Sequence, residues 1–152
     1  MKTLLFSPVL SIFMLAFFSG QKDMNCGHSG IKGQVYVISG NQMPSPDAPP
    51  PAPKGMKTTL YVYELTNTSQ VSRNGSSAFY KDVSTKLVKE LATKEDGSFS
   101  IKLKPGTYSL FVKKGDLFYS NLFDGQNNIH PVEVKKGKMT EEKFRVDYEA
   151  VY

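Results

Sequence analysis

Two runs of alternating apolar and polar residues meet at Pro105-Gly106, and this arrangement limits the possible folds more than any other part of the sequence. The apolar positions are Phe99, Ile101 and Leu103 before the turn, and Tyr108, Leu110 and Val112 after it. A period of two predicts strands with one buried face. Pro-Gly suits the central positions of a type II turn, which twists the wrong way for a two-residue hairpin. We therefore predict that the two strands splay or enter different sheets.

Similar short runs, separated by turn residues, recur along the rest of the chain. They predict strands at about 31–38, 58–65, 86–93, 98–103, 108–112, 117–120, 130–134 and 138–148. Within 78–93 a short amphipathic helix is the alternative, but a strand at 86–93 fits better because it leads directly into the turn at Glu95-Asp96-Gly97. Strands spaced by turns about every ten residues favour an all-β fold, an antiparallel two-sheet sandwich of about seven strands.

The N-terminus predicts a signal peptide over residues 1–20, with Lys2 before an apolar stretch at 4–18 and small residues at 19–20. A permanent helical anchor is the alternative, although the apolar stretch is short and contains Pro8. Residues 21–30 are expected to be a flexible lead-in, and residues 31–152 a single domain. Six of the nine prolines lie in 43–55, which predicts an extended loop there, because proline lacks the N–H that a helix or central strand needs. A polyproline-II ligand for a partner is the alternative.

Composition excludes some classes of function. The formal net charge is +5, and the basic residues are scattered as pairs such as Lys113-Lys114 and Lys135-Lys136, without the dense aromatic-interleaved cluster of a nucleic-acid site. Cys26 is the one cysteine, which excludes an intrachain disulfide and a cysteine-rich zinc site. Its thiol is open to three interpretations: free, paired between chains, or lipidated.

The segment from Thr93 to Val112 reads TKEDGSFSIKLKPGTYSLFV. It resembles the carboxypeptidase regulatory-like family, whose members carry the pattern T-x-x-D-G-x-F-x-I-x-L-x-P-G-x-Y-x-L-x-V. Gly33-Gln34-Val35 is similar to the G-x-V strand that opens the family's domain. The resemblance spans residues 30–148 and implies a transthyretin-like, or prealbumin-like, fold: a two-sheet sandwich of about seven strands.

The same resemblance implies no catalytic activity. In the metallocarboxypeptidases that name the family, the zinc chemistry lies in a separate catalytic domain, for which this chain has no spare length. The two histidines, His28 and His130, also lie in loop contexts with no evident catalytic partners. We therefore expect no enzyme, no catalytic residue, no metal and no cofactor.

Two hypotheses about function follow. The first is a secreted β-sandwich module of the periplasm or the cell surface that binds or scaffolds an unknown protein or glycan partner, with no nucleic acid and no stable membrane span. The second is a small-molecule or carbohydrate-binding domain with a loop-end pocket near residues 118–130. Its candidate ligand residues are Asp124, Asn127, Asn128 and His130. Asp124, Asn127 and Asn128 could offer oxygen ligands to calcium, but a hydrogen-bonded loop is the favoured interpretation because only one of them is a carboxylate.

Overall fold

A computed structural model of the chain describes residues 28–43 and 49–152. Within them there are eleven strands and one short 3-10 helix, Thr68–Gln70. The strands are β1 Gly30–Asn41, β2 Lys54–Gly55, β3 Thr59–Glu64, β4 Val71–Arg73, β5 Phe79–Val83, β6 Leu87–Ala92, β7 Ser98–Lys102, β8 Gly106–Lys114, β9 Leu117–Tyr119, β10 Pro131–Val134 and β11 Met139–Val151. The predicted signal peptide, most of the lead-in and Cys26 lie outside the described residues.

The strands form two sheets, as the sequence predicts for an all-β sandwich. In sheet A, β1 lies between β11 on one side and β2 and β7 on the other. Sheet B has the order β4-β5-β9-β8-β3-β6, and β10 pairs with the first half of β8. The pairings are antiparallel except that of β1 with β11, which is parallel. This ladder joins the two ends of the described domain.

The inner core fills the space between the sheets with the apolar positions of the alternating strands. Sheet A contributes Ile31 and Val35 of β1, and sheet B contributes Leu60 and Val62 of β3, all with no exposed surface. Burial of a side chain of this size contributes about 1.5–3 kcal/mol. The period-two pattern in the sequence therefore specifies which face of each strand is buried.

Sheet B also carries a second apolar cluster on its other face, here called the outer cluster. Its members are Tyr63, Tyr80, Val83, Phe111, Phe118 and Ile129. Their aromatic rings meet edge to face, with centroids 5.6 Å apart for Tyr63 and Phe111. This explains why β3 has apolar residues on both faces, as expected of a central strand. Tyr63, Phe118 and Tyr119 are buried, so these aromatics belong to the core.

The turn before β7 packs against β1. The Asp96 carboxylate accepts a hydrogen bond from the Ser98 amide at 2.9 Å, and Gly97 has φ 77°. A Cβ at Gly97 would lie 2.0 Å from the Val35 carbonyl oxygen. The Val35 amide donates to the Gly97 carbonyl at 2.8 Å. The predicted Asp96-Gly97 turn is confirmed, and glycine is required there both for its positive φ and for close backbone approach.

The predicted separation of the strands on either side of Pro105-Gly106 is confirmed, but the type II turn is not. β7 belongs to sheet A and β8 to sheet B. Gly106 has φ 158°, whereas the third position of a type II turn has φ of about +80°. The chain crosses between sheets instead of folding back, so no tight turn is needed. The Tyr108 hydroxyl secures the crossover by donating to the Lys104 carbonyl at 2.9 Å.

Three segments refine the sequence predictions. Residues 86–93 form a strand, β6, as preferred over a helix. The predicted proline-rich loop ends in the two-residue strand β2, which pairs with β1. The polar segment 66–77 contains the 3-10 helix and β4, because Asn67 caps the helix and β4 pairs with β5. Such short strands account for most of the difference between about seven predicted strands and eleven.

No helix among residues 28–43 and 49–152 has the length and apolar character needed to cross a membrane.

Candidate functional site

The predicted ligand residue Asp124 holds its own loop together. One carboxylate oxygen accepts hydrogen bonds from the Gln126 and Asn128 amides, both at 2.8 Å, and the other accepts from the Asn128 side chain at 2.8 Å. These bonds, first the one from the Asn128 side chain, lower the pKa of the Asp124 carboxyl. Both oxygens are therefore engaged within the loop, as the hydrogen-bonded interpretation predicts.

Asn127 and Asn128 attach this loop to the 3-10 helix. The Asn127 carbonyl accepts from the Thr68 amide at 3.0 Å, and the Asn67 side chain donates to the Asn128 side chain at 3.3 Å. Asn127 has φ 64°, a left-handed conformation that asparagine tolerates. In the described part of the chain, no three histidine, cysteine, aspartate or glutamate side chains group together as a metal site would require. A ligand-binding role for these loop residues stays a prediction.

His130 lies apart from the other three residues, against β11. Its ring is 97% buried, stacks on Phe144 with centroids 4.6 Å apart, and places Nε2 3.0 Å from a carboxylate oxygen of Glu142. Its Nδ1 is buried and has no hydrogen-bond partner among the described residues. The structure therefore separates the four candidate residues into a turn that is bonded to the 3-10 helix and a buried histidine.

His130 and Glu133 have the His-x-x-Glu spacing of the zinc-binding pair in metallocarboxypeptidases. The structure does not bring the two side chains together for metal binding. Glu133 is exposed and pairs with Lys135 at 3.4 Å, whereas His130 is buried and pairs with Glu142. Here the spacing arises because His130 immediately precedes β10 and Glu133 lies within that strand.

A concave site of about 430 Å³ lies beside His130 and is here called the β11 cavity. It is lined by Tyr36 from β1, by Lys143, Arg145 and Asp147 from β11, and by Asn121, Leu122 and His130 from the 120–130 segment. The β11 side chains alternate with Phe144 and Val146, which are fully buried in the inner core. Period-two alternation therefore places the polar side chains of β11 on the face opposite the core.

Asp147 is the centre of a hydrogen-bond network at this cavity. One of its carboxylate oxygens accepts hydrogen bonds from the Tyr119 hydroxyl and from the side-chain amide of Asn121, each at 2.5 Å. The other accepts from Arg145 at 2.7 Å and from the Tyr152 hydroxyl at 3.0 Å. The network joins sheet B, the 120–130 segment and the C-terminal residues to β11, and so fixes the cavity wall.

The network shifts the pKa values of its members in opposite directions. Burial by itself would raise the pKa of Asp147, but hydrogen bonds from Tyr119, Tyr152 and Arg145 outweigh it and lower that pKa. Burial, and then the hydrogen bond to Asp147, raises the pKa of the Tyr119 hydroxyl. At neutral pH the cavity wall therefore contains an ionised carboxylate and a charged guanidinium, and the Tyr119 phenol that bonds to this carboxylate is neutral.

The lining of the β11 cavity carries one more positive charge than negative charge. Arg145 and Asp147 neutralise each other, whereas Lys143 is exposed and makes no ion pair with the described residues. Among the same residues, three buried side-chain polar atoms lack a partner: Nδ1 of His130, Nε of Arg145 and Oγ of Ser120. Two of these belong to residues that line the cavity, and Ser120 adjoins Asn121. Leaving a buried polar atom unsatisfied costs about 1–3 kcal/mol, and a bound water or ligand can lower that cost.

Two larger concave sites, of about 580 and 660 Å³, also lie along β11. Both are lined by Lys32 and Glu141, which pair with each other at 2.9 Å. Their linings include none of the three unpartnered polar atoms. The smaller β11 cavity therefore has the stronger chemical case as a binding site.

The prediction of a pocket near 118–130 located one wall of this cavity but missed β11. The available signal was the alternation of Lys143, Arg145 and Asp147 with buried apolar positions, which marks one polar face of a strand. The sequence gives no indication that this face lies beside residues 121–130.

Comparison of the chain with protein-family models, curated proteins and solved structures found no match.

Proposed function

We propose that this protein is a secreted, non-catalytic β-sandwich module that binds a carboxylate-bearing sugar or similar small anion in the β11 cavity. The observation that carries the proposal is the exposed Lys143, a cation without an ion-pair partner among the described residues, in a cavity whose other charged residues, Arg145 and Asp147, pair with each other. A carboxylate would supply the negative charge that Lys143 lacks. The half-buried Tyr36 ring offers a surface for the apolar face of a sugar.

Secretion is proposed from the N-terminal segment, in which a basic residue precedes an apolar stretch and small residues. Membership of the carboxypeptidase regulatory-like family is part of the same proposal. It is supported by the two-sheet arrangement, by the Asp96-Gly97 turn and by the crossover after Leu103. The regulatory-like domains are distinct from the catalytic domains of their enzymes, which agrees with a binding role.

A glycan array that contains uronic-acid sugars and their neutral counterparts tests the proposal, followed by titration of D-glucuronate against D-glucose by isothermal calorimetry. We expect saturable binding of the acidic sugars and at least a tenfold loss of affinity in Lys143→Ala, since one charge-assisted hydrogen bond contributes about 1.5–3 kcal/mol. Lys81→Ala removes an equally exposed lysine from β5, outside the cavity, and is the matched control. Absence of acidic-sugar binding, or equal binding by both variants, would contradict the proposal.

A further inference from the structure

A second concave surface lies between the start of β6 in sheet B and the end of β7 in sheet A. It has a volume of about 470 Å³ and is here called the lysine groove. Its apolar lining consists of Leu87, Val88, Leu103 and Tyr108. Leu103 and Tyr108 are edge members of the inner core, whereas Leu87 and Val88 are 41% and 38% exposed. Leu87 and Val88 are therefore exposed to solvent in the groove between the two sheets.

Four lysines line the same groove from both sheets: Lys86 and Lys89 from the sheet B side, and Lys102 and Lys104 from the sheet A side. All four are exposed, and none makes an ion pair with the described residues. Glu64 is the one acidic residue in the lining. The groove therefore combines an apolar lining with a net positive charge of three.

The groove also runs along a sheet edge. Among the described strands, β6 pairs only with β3 and ends sheet B. An edge strand exposes backbone N–H and C=O groups that can pair with an added strand. Lysines on an edge commonly prevent such pairing between copies, but exposed leucine and valine at the same edge favour it. An acidic partner strand could pair with this edge, because the lysines would attract it instead of repelling it.

We propose that the lysine groove binds an extended acidic segment of another protein, which adds to sheet B as a strand beside β6. In such a segment, apolar side chains would contact Leu87 and Val88, which neighbour each other where the register of β6 against β3 shifts, and acidic side chains would face the lysines. Backbone pairing with β6 would hold the segment, which is the usual mode of β-strand addition. A second copy of the chain fits less well, because its β6 would bring an identical set of lysines against these four.

The test measures binding of a fluorescein-labelled ten-residue peptide of alternating glutamate and valine, by fluorescence anisotropy at low and high salt. We expect saturable binding that weakens with salt, because the charges are solvent-exposed. The double variant Lys86→Glu/Lys104→Glu should bind at least tenfold more weakly, and Lys81→Glu should bind within twofold of the native protein. A peptide of alternating lysine and valine should not bind.

Hydrogen exchange of the β6 amides, residues 87–92, distinguishes strand addition from general attraction of anions. We expect the peptide to slow this exchange, and a sulfated oligosaccharide of equal charge to leave it unchanged. The proposal is overturned if the peptide leaves β6 exchange unchanged, if the double variant binds as well as Lys81→Glu, or if β6 instead mediates concentration-dependent dimers. Lys143→Ala should keep peptide binding, so failure here is separable from failure of the β11 cavity.

Discussion

At the scale of single residues, Asp147 has the most consequential environment, because four side chains donate hydrogen bonds to its partly buried carboxylate. Its pKa is lower in the folded chain than the usual value of about 4 in the unfolded chain. Protons therefore bind the unfolded chain more tightly, and the stability that Asp147 contributes is present above pH 4 and is lost as the pH falls through the folded pKa.

We therefore expect Asp147→Asn to lower the free energy of unfolding by about 1–3 kcal/mol at pH 7, which is typical for loss of a hydrogen-bonded charge. The difference from the native protein should shrink below pH 4. Urea unfolding of both proteins at pH 7 and pH 3 measures it, and Asp116→Asn, which changes an exposed carboxylate, is the control. A difference that stays constant with pH would show that the ionised carboxylate contributes nothing.

At the scale of elements, the 120–130 segment has two structural roles. It forms one wall of the β11 cavity, and it covers the outer cluster with the fully buried side chain of Ile129. Asp124 and the asparagines hold the segment in a fixed turn. The region read from the sequence as a polar ligand loop is therefore also part of the hydrophobic interior.

Ile129→Ala should lower the free energy of unfolding by about 2–5 kcal/mol, because it leaves a cavity against the aromatic rings of the outer cluster. Leu122→Ala, in the same segment at a side chain that is 50% exposed, should cost under about 0.5 kcal/mol. Chemical denaturation measures both values. Equal small losses would mean that the Ile129 side chain contributes little packing energy to the outer cluster.

Strand positions and burial were predictable from the sequence because the alternation of residues such as Leu60 and Val62 is a local property. The separation of β7 from β8 was predictable as well, since the turn chemistry at Pro105-Gly106 opposes a hairpin. The β11 cavity was not, because it depends on the parallel pairing of β1 with β11 and on the register that sets Tyr36 beside Arg145. Such long-range pairing leaves no mark in either segment alone.

At the scale of the whole molecule, the parallel β1–β11 ladder closes the domain, since Gly30 pairs with Met139 and Val35 with Phe144. These partners are separated by most of the described chain, so their pairing carries a large loop-closure entropy. The β8–β9 hairpin, in which Lys113 pairs with Phe118, needs almost none. We therefore infer that the hairpin forms early in folding and that the β1–β11 ladder forms late.

Stopped-flow kinetics of two variants test this order. Phe144→Leu, in the late ladder, should mainly speed unfolding and change the refolding rate little, whereas Phe118→Leu, in the early hairpin, should mainly slow refolding. Refolding of both should take milliseconds to seconds, as is typical of sandwiches dominated by non-local pairing. Intrinsic tyrosine fluorescence reports the transition, since the chain has eight tyrosines and no tryptophan. Slower refolding of Phe144→Leu with an unchanged unfolding rate would place closure of the domain first, and the two sheets would then assemble around the paired ends of the chain.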